Sequence, residues 1–528
     1  MPAQSVIELI LLVLAIAVAL AYIARRIRVA YPILLVFGGL GLGLVFAAIP
    51  DAPTVELPPD LVFLLFLPPI LFGAAFSTPI RDFKANKRAI GLLAVGLVLF
   101  TTVVVGLVVG LLVPELQWWP AFVLGAIVAP PDAVAASSVL RRLGVPRRVV
   151  TILEGESLVN DASALILYRV AVAAVVTGSF SVLMASVSFV VVGVGGILVG
   201  VVLGWLVTAV WRRTSDPTLE IVVSLLAPIV AYLAAEMLGV SGVLATVTTG
   251  LIAGRRAARV LSPDGRLMGT GVWAVVYFLI DSFVFMLIGL QLPLIVGNLS
   301  AYGAPQLIGL GLTVSLTVIL ARILWIFPTT YLPFRFLPRW QLFHTAPPRN
   351  SVFVVSWAGM RGAVSLAAAL ALPLGPTPFP GRDLVIFLTF CVIFATLVGQ
   401  GLTLPWVIRR VGLVAGTGLE REEGVARQAT VDAALGRLDD LALEFPDHLE
   451  LVDQLRARFE HEAAHASSED ATIGEAERES LDHLAIRTAV IEVQREAIIR
   501  LRDDGVIGDQ ALRRVERDLD LEVLRTGV

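Results

Sequence analysis

The 528-residue sequence predicts an all-α polytopic membrane protein with about thirteen transmembrane helices and a helical cytosolic tail. Three observations predict this class: the apolar composition, the spacing of the apolar segments and the positions of the basic residues. Hydrophobic residues make up 57% of the chain and charged residues only 16%, and the mean hydropathy is +0.86. A soluble globular protein of this length does not need so much apolar surface.

The apolar segments have the length of membrane spans. A helix needs about 20 apolar residues to cross roughly 30 Å of hydrocarbon. The ninth candidate is short and interrupted by glycines. The predicted spans centre near residues 15, 40, 67, 101, 129, 163, 198, 228, 248, 281, 319, 361 and 396.

Basic residues cluster in alternate connections between these spans. The intervening connections, such as DAPTVELPPD and PELQWWP, carry acids or no charge. By the positive-inside rule, the N-terminus lies outside the cell membrane and the C-terminal tail lies in the cytoplasm. The basic clusters lie at 25–28, 81–88, 141–148, 212–213, 255–256, 335–349 and 409–410.

A change in charge divides the chain into a membrane module, residues 1–412, and an acidic tail, residues 413–528. The tail holds 27 acids against 14 arginines and no lysine, whereas the module holds 16 acids and 26 basic residues. From Glu420 onward, apolar residues recur at helical spacing among the charges, which predicts amphipathic helices. Four of the five histidines lie in the tail, either as solvated surface residues or as a pH sensor.

Two predicted spans carry helix breakers at matching positions. Spans one and eight run in opposite directions, so spans one to six could be an inverted copy of spans eight to thirteen. Span five contains Ala129-Pro130-Pro131-Asp132, and span twelve contains Gly359-Met360-Arg361-Gly362. Two adjacent prolines cannot both lie inside an unbroken helix. We therefore expect two broken helices that meet near the bilayer midplane; simple kinks are the alternative.

The sixth span, in ILEGESLVNDASALILY, contains an unusual polar cluster. A charge at the bilayer centre costs about 2.5–3.5 kcal/mol, so stability alone does not explain its presence. Ser157 and Asp161 are four residues apart, as are Glu156 and Asn160, which puts each pair on one helix face. Ser157, Asn160 and Asp161 can thus present oxygen atoms on one side, and the broken backbone near Asp132 can add carbonyls.

These residues predict a cation and proton site. Burial disfavours the charged form of a carboxylate, so Asp161 can hold a proton or a metal cation but not both comfortably. Competition for one carboxylate couples the two fluxes. We expect a transporter without a cofactor, not an enzyme, that exchanges a small cation for protons.

Other charges in the spans have structural interpretations. Glu156 and Arg361 have opposite signs at similar depth, so we expect them to form a buried ion pair. For Arg322, the expectation is pairing or contact with lipid phosphate. Asp281 either lines the cavity or caps a helix. Arg169 is expected to extend towards the membrane surface.

Other function classes fit less well. Neither of the two lysines lies in a GxxxxGK[ST] motif, which argues against a P-loop pump. An intramembrane serine protease needs a general base, but no histidine lies in any predicted span. An aspartyl version could use Asp132 and Asp161, without the usual Gly-Asp signature. Two broken helices at a carboxylate suit a closed site better than a channel.

Four stretches, EGESLVNDASALILY, VAPPDAVAA, VVSWAGMRGAVSLAAALALP and FMLIGLQLP, resemble bacterial monovalent cation/proton antiporters of the sodium/proton exchanger type. The resemblance covers residues 1–412. It implies a homodimer in the lipid bilayer, with no nucleic-acid partner. It also implies a mobile core around helices four to six and eleven to thirteen, with the other helices as scaffold and dimer interface. Transport would be electroneutral and elevator-like.

The resemblance also implies roles for single residues. The essential carboxylate corresponds to Asp161, its neighbours to Asn160 and Ser157, and the aspartate of the first broken helix to Asp132. The transported ion, Na⁺, K⁺ or Li⁺, would then bind at Asp161, Asp132 and Ser157. The buried ion pair corresponds to Glu156 and Arg361.

The sequence departs from the family pattern at two positions. Gly73 stands where many relatives have an acid, and Pro131 stands where many have threonine. Both differences remove possible oxygen ligands, so potassium is an alternative to sodium as the transported cation.

Overall fold

A computed structural model describes residues 3–27, 30–49, 62–113, 116, 118–297, 299, 302–336, 346–373, 379–413, 418–467, 493–494, 496–501, 504, 515 and 519. Within these ranges the chain is helical and contains no strand, which confirms the predicted all-α class. The chain forms two compact units, residues 1–415 and 416–528. The connection DAPTVELPPD and the loop 337–345 lie outside the described residues.

The first unit consists of long apolar helices joined by short connections. In chain order its helices are α1 (Ala3–Ile27), α2 (Tyr31–Ala48), α3 (Phe63–Ser77), α4 (Ile80–Ala85), α5 (Lys87–Leu112), α6 (Trp118–Val128), α7 (Ala133–Arg142), α8 (Arg147–Thr177), α9 (Val182–Trp211), α10 (Pro217–Met237), α11 (Gly242–Val260), α12 (Pro263–Gly297), α13 (Ala304–Phe336), α14 (Arg349–Trp357), α15 (Ala363–Leu370) and α16 (Arg382–Val411).

The described part of the chain contains nine helices that are long and apolar enough to cross a membrane. Two shorter apolar helices, α3 and α6, add to these. Every predicted span centre lies inside a helix or at the interruption between two half-helices. The protein is therefore a multi-pass membrane protein, and the count of thirteen crossings stays a prediction.

Both predicted helix breaks are present. Helix α6 ends at Val128 and α7 begins at Ala133, while α14 ends at Trp357 and α15 begins at Ala363. Pro130 and Pro131 have no backbone N–H to continue the first helix. In the second break, Gly362 has an extended backbone, with φ −145° and ψ −151°. The two interruptions leave backbone groups available for other partners.

Helices α2 and α12 are in backbone contact. A Cβ atom on Gly39 would collide with the carbonyl oxygen of Met286, and one on Gly289 would collide with that of Val36. Such close approach, made possible by small residues, is typical of tightly packed membrane helices. The two helices therefore form a firmly packed pair without any break.

The described part of the second unit includes two long helices, α17 (Gly418–Glu444) and α18 (Leu449–Ser467). Val431, Leu438 and Val452 are buried, and Arg456 bridges from α18 to Asp439 of α17 at 2.7 Å. The part of the tail that the structure describes is thus largely helical, as its periodicity predicts.

Candidate ion-binding site

The two broken helices meet directly through their backbones. The N–H of Asp132, in the first break, donates a hydrogen bond of 2.7 Å to the carbonyl of Met360, in the second. A Cβ atom on Gly362 would collide with Oδ2 of Asp132, so this carboxylate lies against the start of α15. Unpaired N–H groups at the start of a helix favour a negative charge.

Two polar side chains of helix α8 form hydrogen bonds with the backbone of the first break. The Asn160 amide donates a hydrogen bond of 3.0 Å to the Pro131 carbonyl. The Ser157 hydroxyl accepts a hydrogen bond of 3.3 Å from the Ala133 N–H, the first of helix α7. Asn160 is completely buried. Ser157 and Asn160, whose spacing predicts an ion site, therefore also hold the unwound backbone against α8.

A cavity of about 430 Å³ lies beside this crossing. Its lining includes the predicted ligands Asp132, Ser157 and Asp161, so the structure brings three of the four predicted residues to one space. The lining also includes Ser77, at the end of α3, and Glu154, near the start of α8. The cavity thus extends from the breaks towards the end of the molecule where α3 ends and α8 begins.

Asp161 is buried without a charged partner. It is 6% exposed, and no lysine, arginine or histidine of the described residues forms an ion pair with it. A carboxylate in this setting gains most from a bound cation or a bound proton. The geometry therefore gives Asp161 the properties expected of the exchanging group.

Two serines in the cavity lining were not predicted from the sequence. The hydroxyls of Ser137 and Ser365 are buried and have no hydrogen-bond partner among the described residues. Each lies within five residues of the start of a half-helix, α7 or α15. That proximity to a break is the one signal in the sequence that could have selected them.

The buried ion pair differs from the predicted one. The sequence predicts a pair of Glu156 with Arg361, but in the structure Glu156 pairs with Arg322 of α13 instead. Two nitrogens of Arg322 donate to the two carboxylate oxygens at 2.5 and 2.8 Å, and both side chains are only 1% exposed. Arg322 also donates to the Val355 carbonyl at 3.2 and 3.1 Å. Of the two alternatives for Arg322, pairing is the one observed.

Arg361 binds the broken backbones and not Glu156. Its side chain donates to the carbonyls of Val128, at 2.8 Å, and Gly359, at 2.7 Å. Val128 is the last residue of α6, so Arg361 supplies a positive charge to the C-terminal end of that half-helix. The physical reason for the difference is that a helix break leaves carbonyls that need donors, and the guanidinium carries five N–H groups.

Asp281 lines the same cavity. Its carboxylate accepts a hydrogen bond of 2.6 Å from the Tyr31 hydroxyl. Of the two interpretations for this residue, lining the cavity is therefore the one observed. One turn earlier on α12, the Tyr277 hydroxyl occupies the space that a side chain at Gly73 would need. Arg169, in turn, forms an ion pair with Glu236 at 2.9 Å.

Fold and site together define a membrane transporter with buried carboxylates at the crossing of two broken helices. The family model described as "Sodium/hydrogen exchanger, transmembrane" matches residues 11–410. The chain belongs to this family, which makes it a transporter and not an enzyme. The family named from the sequence motifs is thereby confirmed.

The chain is also similar to individual curated relatives and to a solved structure. An uncharacterized Na⁺/H⁺ exchanger of Mycobacterium tuberculosis is 36% identical, over 98% of this chain and 95% of the relative. A sodium, potassium, lithium and rubidium/H⁺ antiporter of Bacillus subtilis is 35% identical, over 76% of this chain and 61% of the relative. The sodium proton antiporter MjNhaP1 of Methanocaldococcus jannaschii, solved at pH 8, has a TM-score of 0.62 and 21% identity, over 78% of this chain and 99% of that structure. This last likeness concerns the fold.

Proposed function

We propose that this protein exchanges sodium for protons across the cell membrane, one for one, by alternating access at Asp161. The observation that carries the proposal is a buried carboxylate, in a cavity at the crossing of two broken helices, that has no charged partner among the described residues. Membership of the sodium/hydrogen exchanger family supports the same function.

Coupling follows from competition for one group. A desolvated carboxylate is stabilised by a cation or by a proton, and occupancy by one removes the charge that attracts the other. Asp161 exchanges these two ions, while Asp132 and Ser157 contribute further oxygen ligands from the same cavity. Asn160 holds the broken backbone in place through Pro131. One cation exchanged for one proton moves no net charge.

Alternating access requires the site to move between the two membrane faces. In the proposed movement, helices α5–α8 and α13–α16 form the mobile core, and the others form a scaffold. The N-terminus faces outward, and the tail, residues 413–528, is cytoplasmic. The cavity extends towards the end of α3, which precedes the basic cluster 81–88, and towards the start of α8, which lies in the basic cluster 141–148. Because basic clusters mark the cytoplasmic side, this arrangement opens inward.

A homodimer in the lipid bilayer is part of the proposal. Helices α1 and α9 expose large apolar side chains, for example Leu11 at 60%, Leu183 at 74% and Val202 at 67%. In water such surfaces would be unfavourable. Lipid chains and a second copy of the protein are the partners that suit them.

Sodium is proposed ahead of potassium because the matching family and the printed names of both curated relatives contain sodium. The Bacillus subtilis relative is also named for potassium, lithium and rubidium. Potassium therefore enters the test as a second cation.

The test uses purified protein in liposomes with an internal pH dye. Pulses of sodium, potassium and lithium should each be compared with and without a voltage clamp. We expect sodium-driven proton movement that does not depend on voltage. In the Asp161→Asn variant this movement should fall by more than about 100-fold, because an amide cannot exchange a proton for a cation.

The matched control is Asp216→Asn. Asp216 caps helix α10 with its side chain, and asparagine caps a helix equally well. This variant should therefore transport like the unaltered protein. If Asp161→Asn retains exchange within about twofold of that control, the proposed role of Asp161 is wrong.

A further inference from the structure

We propose that Asp281, held by Tyr31, is a second cation-binding carboxylate in the cavity, which takes up the monovalent cation before it reaches Asp161. This inference rests on the proposed exchange of a cation for protons. It assigns Asp281 a part in cation affinity, and it leaves the exchange of cation and proton to Asp161.

The environment of Asp281 gives the first argument. It lies in an apolar stretch of α12, YFLIDSFVFMLIGL, and is 6% exposed. No basic residue of the described parts of the chain forms an ion pair with it. A charge at this depth costs about 2.5–3.5 kcal/mol. A bound cation would offset that cost, and the hydrogen bond from Tyr31 alone leaves the charge in place.

Its geometry gives the second argument. The hydrogen bond from Tyr31 engages Oδ2 of Asp281 and leaves Oδ1 for a cation. Tyr31 is the first residue of α2, the helix in backbone contact with α12 through Gly39 and Gly289. Donor and acceptor therefore lie on two firmly packed helices, which fixes the position of the carboxylate.

A second oxygen lies one turn away on the same helix. The Tyr277 hydroxyl also lines the cavity, and it enters the space left by the absent side chain of Gly73. Residues four apart on a helix share a face, so Tyr277 and Asp281 present a phenol oxygen and a carboxylate to one region. Hard cations prefer such oxygen ligands.

The cavity also links Asp281 to the exchanging carboxylate. Asp132, Asp161 and Asp281 all line the same space of about 430 Å³. Several carboxylates in a cleft with low-dielectric surroundings raise the local cation concentration, and such focusing can be worth a factor of about 10 or more. Asp281 therefore increases the occupancy of Asp161 at low external cation concentration.

The first experiment measures the sodium dependence of exchange in liposomes at fixed pH. For Asp281→Asn we expect the KM for sodium to rise about tenfold while kcat stays within about twofold. Asp281→Glu should restore most of the affinity. Tyr31→Phe, which keeps the carboxylate but removes its hydrogen bond, should give an intermediate KM. Asp216→Asn is again the matched control.

The second experiment measures binding without transport. Thermal unfolding of detergent-solubilised Asp161→Asn protein should still be delayed by added sodium chloride, relative to choline chloride at equal concentration. The double variant Asp161→Asn/Asp281→Asn should lose that delay. This readout does not depend on exchange activity, so it tests Asp281 even if the role proposed for Asp161 fails.

Three results would overturn the inference. One is an unchanged KM in Asp281→Asn with only a lower melting temperature, which makes the residue structural. Another is complete loss of exchange in a folded Asp281→Asn protein, because the residue would then be indispensable and not auxiliary. The third is equal stabilisation by sodium of the single and double variants.

Discussion

Helix α8 carries two buried acids, Glu156 and Asp161, which differ in what neutralises them. Glu156 has a permanent partner, since Arg322 donates to both of its carboxylate oxygens. Asp161, five residues later, has no ion-pair partner among the described residues, and it lines a cavity. In the proposed function, this difference separates a structural charge from an exchanging one, because a carboxylate can take up a mobile ion when the protein supplies no fixed cation.

The largest expected effect comes from removing one partner of the permanent ion pair. Glu156→Gln leaves Arg322 as an uncompensated buried charge, because both side chains are almost completely buried. Breaking a buried ion pair from one side typically costs about 3–5 kcal/mol. We expect a loss of this size in the free energy of unfolding, measured by denaturant or thermal unfolding in detergent.

A double variant distinguishes pairing from general damage. Glu156→Gln/Arg322→Met removes both charges, and replacing a whole buried pair by apolar groups is often close to neutral. The double variant should therefore be more stable than Glu156→Gln alone. If the stability loss of the double variant equals the sum of the losses in Glu156→Gln and Arg322→Met alone, the two residues are not coupled. Glu156 would then have no permanent partner, and its contrast with Asp161 would be wrong.

A smaller effect is expected at Arg361. Arg361→Ala removes the donors to the carbonyls of Val128 and Gly359, but Glu156 keeps its partner Arg322. A lost hydrogen bond to a charged group is worth about 1.5–3 kcal/mol. We expect a destabilisation of about 2–3 kcal/mol, measured in the same unfolding experiments.

Double-mutant cycles can test whether Arg322, and not Arg361, is the partner of Glu156. In double-mutant cycles, the interaction energy between Glu156 and Arg322 should exceed that between Glu156 and Arg361 by at least about 1 kcal/mol. Equal coupling would mean that Glu156 is shared by both arginines.

What could be predicted from the sequence depended on local relations. The helix breaks follow from Pro130-Pro131 and from the glycines around Arg361, and the grouping of Ser157 with Asp161 follows from spacing on one helix. Such features need no knowledge of the packing. The cavity around Asp132 and Asp161 could therefore be anticipated with its principal carboxylates.

Features that depend on packing between distant helices could not be predicted. The choice of Arg322 over Arg361 as partner of Glu156 depends on the rotation and depth of α13 relative to α8. It depends also on the freed carbonyls that bind Arg361. Likewise, the entry of Tyr277 into the space beside Gly73 involves residues about 200 positions apart. No local pattern in the sequence carries such information.

The smallest effect on stability is expected at the other acid of α8. Asp161→Asn is the same carboxylate-to-amide change as Glu156→Gln, on the same helix and also in a buried position. Removing the charge of Asp161 leaves no basic partner behind among the residues that the structure describes, and it relieves the cost of burying a charge. We therefore expect the free energy of unfolding, measured in sodium-free buffer, to change by less than about 0.5 kcal/mol, or to rise. A loss comparable to that of Glu156→Gln would show that Asp161 is neutralised within the folded chain, and a carboxylate neutralised in that way could not depend on a mobile cation or proton.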